Sequence, residues 1–363
     1  LSWLAYFIFG FALVRLGVAI VNLIFRERTG RSTGEGSWLV SVLIPARNEE
    51  KNIGVLLRDL TLQDYQNIEI IVFNDQSDDR TAEIVTAFSK MDDRVRLAES
   101  NGLPEGWLGK NHACHMLARQ ATGKYLLYLD ADVRMGNEMI GQAVAFAGKY
   151  NLGLLSIFPM QIILSPGEWM TVPNMNCILL SLLPLILVRK SRFSSLAAAN
   201  GQFMLFDAAI YREYFPHEKM KSCKVEDIEI ARYYKKEKIP VACLASEHQV
   251  RCRMYTSFRE AVNGFAKNVT CFFGNSYLLA ILFWLMTSFG FLAIWFFWSV
   301  FMLPFYLLAI LAIRIIVAKI SGQHVIKSLL YLNPMQVSLG LFIFKAVIHK
   351  FTGIHQWKGR NIS

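Results

Sequence analysis

An α/β domain on a mostly parallel sheet, flanked by transmembrane helices, is the architecture this sequence predicts. Three observations carry it. The 363 residues are 54% hydrophobic and only 18% charged, against about 25% charged in an ordinary soluble domain. Apolar runs of roughly twenty residues stand towards both ends, long enough to cross a bilayer. Between them, short β-branched runs alternate with helical patterns, as parallel strands joined by helices do. A disordered chain, a small disulfide scaffold and a fully soluble monomer are thereby excluded. The net charge of +10 sits in Lys and Arg clustered beside apolar runs, without a continuous basic stripe. Anionic lipid headgroups or a phosphate-bearing small molecule suit that pattern, and nucleic acid does not. Six cysteines with no CxxC pair suggest neither a zinc site nor a disulfide framework.

In chain order, the anchor at residues 1–26 is almost continuously apolar through Phe25 and ends in Arg26, with Arg28 and Arg31 beyond, which mark that side as cytoplasmic. No basic n-region or small-residue cleavage site is present, so a retained anchor is expected over a removable signal. Arg15, inside the run, costs about 3 kcal/mol on insertion scales and must pair with another helix or snorkel. Residues 37–275 form the water-facing domain. Strands are expected at 39–44, 68–73, 95–98, 125–129 and 241–245. Ile53, Leu56, Leu57 and Leu60 recur at i, i+3, i+4 and i+7 and make one helix face. Ile84, Val85 and Phe88 make a second, with Ser77 or Asp78 as its N-cap, and a third helix is expected near 111–120. Such βα steps place ligands at the carboxyl ends of the strands, here residues 45–49, 74–79 and 130–132.

Residues 169–190 contain Pro173, Asn174, Asn176 and Pro184 and end in basic residues. They are expected to lie in the membrane interface beside the site, with an ordinary buried helix as the alternative. Residues 277–320 hold two apolar runs broken at Pro304, a hairpin that goes out and returns. Residues 328–363 give an interfacial or re-entrant helix and a basic cytoplasmic tail, since Asn333 and Pro334 interrupt the apolar stretch.

The chemistry is expected at carboxylates. Asp130 and Asp132 stand two apart where four apolar strand residues end, so both can address one hard divalent cation and leave positions for phosphate oxygens. Asp75 ends another strand. Glu226 and Asp227 open a helix whose Ile228, Ala231 and Tyr234 pack.

Residues 41–50 (SVLIPARNEE), 72–79 (VFNDQSDD), 129–132 (LDAD) and 225–229 (VEDIE) resemble, in order and spacing, the family 2 glycosyltransferases of the Rossmann-like GT-A fold. The resemblance covers about 37–273. Residues 106–111 (GWLGKN), with the flanking membrane segments, are similar to the branch that glycosylates carotenoid acids and to hopanoid-associated enzymes. The resemblance implies that Pro45, Ala46, Arg47 and Glu49 border a nucleoside. It implies that Asp75 accepts the N3–H of uracil, favouring a UDP-sugar donor, and that Lys110 lies near the nucleotide. Asn74 stands where the family more often has Asp. Asp130 would touch the ribose or the metal, and Asp132 would bind Mg2+ or Mn2+ at the diphosphate, where the ion offsets charge on the leaving group. Asp227 would deprotonate the acceptor for direct displacement, with inversion, and Glu226 would tune or orient it. Against a carboxylic acid acceptor, already ionised, Asp227 would mainly position it. Arg251, Arg253 and Tyr255 partly resemble the Gln-x-x-Arg-Trp element that covers the diphosphate in processive members. Residues 356–360 (QWKGR) are a second candidate, and Gly201 sits where the family brings backbone close to acceptor or donor.

Each feature has a plainer reading when taken alone. Lys110 can be an exposed loop lysine, Glu226 and Asp227 helix-dipole partners, and the two basic elements headgroup contacts. His112 and His115, one turn apart, and His248 have metal-ligand potential but more simply pack or face solvent. The sequence is thus read as an integral protein of the bacterial inner membrane. Its cytoplasmic domain would move a single sugar from a nucleotide-sugar donor to a lipid or isoprenoid acceptor, with no nucleic-acid partner. A processive polysaccharide synthase is the enzymatic rival, although it needs more spanning helices. A catalytically inactive membrane scaffold is the other, and intact Asp75, Asp130, Asp132 and Asp227 count against it.

Overall fold

The computed structural model describes residues 2–30, 38–245, 248–352, 356–357 and 360–361, with side chains through residue 350. Arg31, Ser37, Lys358 and Gly359, which figure in the sequence reading, lie outside the described residues. Seven strands form the main sheet: β1 (Val40–Ala46), β2 (Ile68–Asn74), β3 (Val95–Glu99), β4 (Tyr125–Leu129), β6 (Leu154–Phe158), β8 (Phe203–Asp207) and β9 (Val241–Ala245), in the order β3-β2-β1-β4-β8-β6-β9. β5 (Val133–Met135), β7 (Met160–Gln161) and β10 (Val250–Cys252) form a small second sheet in the order β5-β10-β7. All neighbours in the main sheet run parallel except β8, which is antiparallel to both β4 and β6. β6 and β8 are additions to the expected strands.

Helices cover both sheet faces, so the strands are apolar on both sides. Val40, Val42, Ile44, Ile70 and Val72 pack with Ile53, Leu56, Leu57 and Leu60 of the Ile53–Thr61 helix on one face. Leu43, Ile71, Phe73, Leu126 and Tyr128 pack with Leu117, Tyr211 and Tyr234 on the other. The β1–β4 pairing allows a single approach at its edge: a Cβ on Gly123 would stand 2.7 Å from the Leu39 carbonyl oxygen. One local expectation fails. The Thr81–Ser89 helix follows Arg80, and neither Ser77 nor Asp78 caps it. Ser77 Oγ instead accepts from the Asn48 amide (3.0 Å), and the Asp78 amide donates to Asn48 Oδ1 (2.9 Å). Those residues lace the loop after β2 to the loop after β1.

Among the described residues three helices, Ser2–Ile24, Tyr277–Phe297 and the segment Val300–Ile320, are long and apolar enough to cross a membrane. Pro304 lies at the start of the Leu303–Ile320 helix, where its missing N–H costs nothing. The Arg15 alternative is decided in favour of pairing: Nε and Nη2 donate to Ser181 Oγ at 3.2 and 3.1 Å. Asn22 accepts from the Leu185 amide (2.7 Å) and donates to the Leu180 and Leu183 carbonyls, both at 2.8 Å. The first helix is thereby fastened to residues 169–190.

That segment folds as three short helices, Pro166–Thr171, Pro173–Leu182 and Ile186–Lys190; Cys177 and Leu180 are buried against the Leu303–Ile320 helix, Leu179 against the sheet domain, and Ile178 against the Phe258–Asn268, Tyr277–Phe297 and Leu332–Thr352 helices. Asn333 and Pro334 do not interrupt a helix but begin one, Leu332–Thr352. It runs beside half of the Tyr277–Phe297 helix: Trp284 Nε1 donates to the Gln336 carbonyl (2.9 Å), and the Lys350 ammonium lies 4.9 Å from the Tyr277 ring centre.

Candidate active site

The carboxyl ends of β1, β2 and β4 open on one cavity of about 620 Å³. Pro45, Ala46, Arg47, Glu49, Asp75, Lys110, Asp130, Asp132, Glu226, Asp227 and Tyr255 all line it. Strand ends bring in the first part of this set, and the starts of the Gly109–Gln120 and Glu226–Lys236 helices bring in Lys110 and the Glu226–Asp227 pair. Residues far apart in sequence therefore meet because a parallel sheet aligns the ends of its strands.

The loops after β1 and β2 are tied together by hydrogen bonds. Arg47 Nη1 donates to the carbonyls of Asp75 (2.6 Å) and Gln76 (3.0 Å), and the Asp75 amide donates to the Ala46 carbonyl (2.8 Å). Asn48 and Gln76 hold left-handed φ of 53° and 54°, turning the two loops towards each other. Asn74 Nδ2 donates to Glu99 (2.8 Å) and Asn74 Oδ1 accepts from the Ser77 amide (3.1 Å). An aspartate there would face Glu99 with like charge, which is a reason for Asn at this position.

At the acidic centre, Lys110 Nζ lies 2.8 Å from Asp130 Oδ1 and 3.4 Å from Glu226 Oε1. Burial opposes the charge on Lys110, but Asp130 and Glu226 outweigh it and its pKa lies well above the ordinary range. The exposed-lysine reading is therefore set aside. Asp227 accepts the amides of Gly201 (2.9 Å, Oδ2) and Ile228 (2.8 Å, Oδ1). Burial first, and Glu226 second, still push it up to about 7. A Cβ on Gly201 would stand 3.0 Å from Lys110 Nζ, so the backbone there comes close to the acidic centre. Asp132 is likewise pushed up to about 7, by burial and then by Asp130.

Asp132 Oδ1 is buried without a hydrogen-bond partner. A buried carboxylate oxygen in that state is costly unless a cation or donor meets it, so the residues fit a divalent ion. Among the described residues no group of three or more His, Cys, Asp and Glu is arranged as a metal site. This suits an ion such as Mg2+, which takes one or two protein carboxylates and completes its shell with water and phosphate oxygens.

The diphosphate trio separates. Tyr255 lines the cavity, whereas Arg251 is exposed on β10 and Arg253 pairs with fully buried Glu168 (2.7 Å). Glu168 caps the Pro166–Thr171 helix and needs that guanidinium, so Arg253 is engaged in structure. The alternative at 356–360 is described only as strand backbone at Gln356–Trp357 and Arg360–Asn361. His112 and His115 pack against Trp107, and His248 lines a different, smaller pocket. Sequence reasoning missed Gln161, Gln202 and Cys252. Gln161 and Gln202 line the cavity and each has a buried Oε1 without a partner. Single polar residues at strand ends were their only signal. Phe158, Val172, Met175, Phe265 and Phe272 add apolar side chains to the lining, beside Glu260, Asn263, Lys267 and Asn268, with Met175 on the Pro173–Leu182 helix and Phe265 on the Phe258–Asn268 helix.

Comparison with known proteins followed the same division. Residues 41–215 match the model of glycosyl transferase family 2. The chain is 29% identical over 276 residues to a 4,4'-diaponeurosporenoate glycosyltransferase of Staphylococcus haemolyticus, covering 72% of this chain and 70% of the relative. It is 27% identical over 301 residues to the protein of the same name from Staphylococcus aureus strain MRSA252, covering 76% and 74%. Among solved structures, a mannosyltransferase from Pyrobaculum calidifontis in complex with GDP-Man and Mn2+ aligns over 96% of this chain and 99% of its own. The TM-score is 0.59 at 17% identity, a likeness of fold.

Proposed function

We propose, for a chain whose residues 41–215 match the model of glycosyl transferase family 2, that it transfers one sugar, with inversion, from a nucleotide-sugar donor to a membrane-embedded isoprenoid acid. One observation carries this reading: Asp75, Asp130, Asp132, Glu226 and Asp227 share a cavity that is also lined by Val172, Met175, Phe265 and Phe272, from segments packed against the long apolar helices. A polar donor and an apolar acceptor can meet in that one cavity.

The nucleoside lies against Pro45, Ala46, Arg47 and Glu49, with Asp75 accepting the N3–H of uracil, which makes a UDP-sugar the donor. Asp132, with Asp130, would hold Mg2+ or Mn2+, which would supply charge neutralisation at the leaving diphosphate. Lys110 screens Asp130 and Glu226 from each other and orders the floor of the site. Asp227, raised to about 7, is matched to accept a proton from a hydroxyl acceptor near neutral pH. For an acid acceptor it positions the attacking oxygen. The relatives' name, a carotenoid acid glycosyltransferase, supports the second form. The sheet domain faces the cytoplasm, with the Leu332–Thr352 helix re-entrant beside it.

The test is incubation of the purified protein, in detergent, with UDP-glucose, UDP-GlcNAc or GDP-mannose and a carotenoid acid, followed by mass spectrometry of the lipid. A single-hexose adduct from a UDP-sugar is expected. Polymer would favour the processive rival, and transfer from GDP-mannose alone would remove the Asp75–uracil contact.

A further inference from the structure

We infer that Cys252 and Gln202 orient Asp132, and so set its affinity for a divalent cation, which makes the turn at residues 200–202 the common support of both carboxylate poles of the site. The inference rests on the cation role of Asp132 proposed above. Cys252 ends β10, is fully buried, and sits opposite Val133 across the β5–β10 pair, one residue beyond Asp132. That register sets its thiol beside the Asp132 carboxylate, close enough for the two to interact, and Gln202 Nε2 donates to Cys252 Sγ (2.7 Å).

With a cation bound Asp132 is ionised, and an ionised carboxylate only accepts, so in that state the sulfhydryl hydrogen turns to Asp132 and the sulfur receives the Gln202 amide. Reversing the amide would set an acceptor against a sulfur whose hydrogen is already given away. With one carboxylate oxygen engaged in this way, Oδ1 is left as the buried oxygen without a partner.

The neighbouring residue of the same turn, Gly201, donates its amide to Asp227 Oδ2. Ser156 fixes the turn to β6: the Asn200 amide donates to Ser156 Oγ (2.8 Å), which donates to the Asn200 carbonyl (3.2 Å). One turn thus reaches Asp227 directly and Asp132 through sulfur. Cys252 and Gln202 are positioning residues, since they act through Asp132.

Electron paramagnetic resonance of free Mn2+, with UDP and the full-length protein in detergent, measures the affinity directly. Cys252→Ala and Gln202→Met should each weaken Mn2+ binding by about 10-fold, the range found when a ligand loses its supporting hydrogen bond. UDP affinity in EDTA should be unchanged. Cys252→Ser, which keeps a donor between the two partners, should bind Mn2+ within about twofold of the parent. The double variant should be no weaker than either single one, because both remove the same chain. Unchanged Mn2+ affinity in Cys252→Ala, or losses that multiply in the double variant, overturns the inference. Should Cys252→Ala fail to fold, Gln202→Met against Cys252→Ser decides by the same criterion. A parent protein that binds no Mn2+ with UDP instead refutes the cation role of Asp132 itself.

Discussion

Asp132 and Asp227 are both held near pKa 7 by burial, each with a different acidic neighbour, Asp130 and Glu226 respectively. The sign of the consequence is the same for both. A folded pKa raised above the ordinary carboxylate range means that ionisation opposes folding, so each group's contribution is most favourable below pH 4 and is lost as pH rises through about 7. Asp132→Asn should therefore raise the melting temperature of the metal-free protein at pH 8, by roughly 2–4 °C per kcal/mol recovered, and remove any rise on adding Mn2+ and UDP. A variant that melts lower, yet still responds to Mn2+, would contradict the role given to Asp132. Asp227→Asn should keep UDP and Mn2+ binding while transfer falls by about 10²-fold or more, and calorimetry on the two variants separates these outcomes. For a hydroxyl acceptor, transfer should rise up to tenfold per pH unit below about 7 and level off above it. A flat profile from pH 5 to 8 assigns Asp227 to positioning alone.

The basic element after β9 behaves differently from its sequence pattern. Arg253 serves Glu168, a carboxylate with no exposed surface that also accepts the Ser165 amide (2.8 Å) and the Leu164 amide. Removing the guanidinium leaves a buried charge short of a partner. Arg253→Met should cost about 3 kcal/mol of stability and change UDP affinity by less than twofold. A diphosphate role would give the reverse, and thermal melting with a UDP titration distinguishes them. The residues 169–190 are an element of the same kind: its prolines split it into short helices, Asn22 binds backbone groups at the break around 183–185, and Arg15 donates to the Ser181 hydroxyl.

For the whole molecule, the outward faces of the three long helices carry apolar side chains such as Trp3 (83% exposed) and Phe301 (78%), a surface a bilayer covers. The distant rim of the sheet domain carries Met91 (73% exposed) beside Lys90 and Asp93. Met91→Cys, with labelling by a membrane-impermeant maleimide, should react in inside-out vesicles and be protected in intact spheroplasts. The opposite result would place the domain outside and remove the cytoplasmic donor.

The sequence by itself determined the strands β1 to β4, the long apolar helices and the carboxylates at strand ends, because each is written in local periodicity or in a short motif. Pro45 to Glu49, Asp75, Asp130 and Asp132 were legible for that reason. Only the tertiary structure decided that β8 runs antiparallel between β4 and β6, that Arg253 belongs to Glu168, and that Gln202 and Cys252 stand behind Asp132. Those facts depend on contacts between residues about 50 to 85 positions apart, and a side chain's hydrogen-bond partner at that separation leaves no trace in the pattern around it. The same distance explains the shared cavity: strand ends can be read one at a time, but their convergence is a property of the sheet.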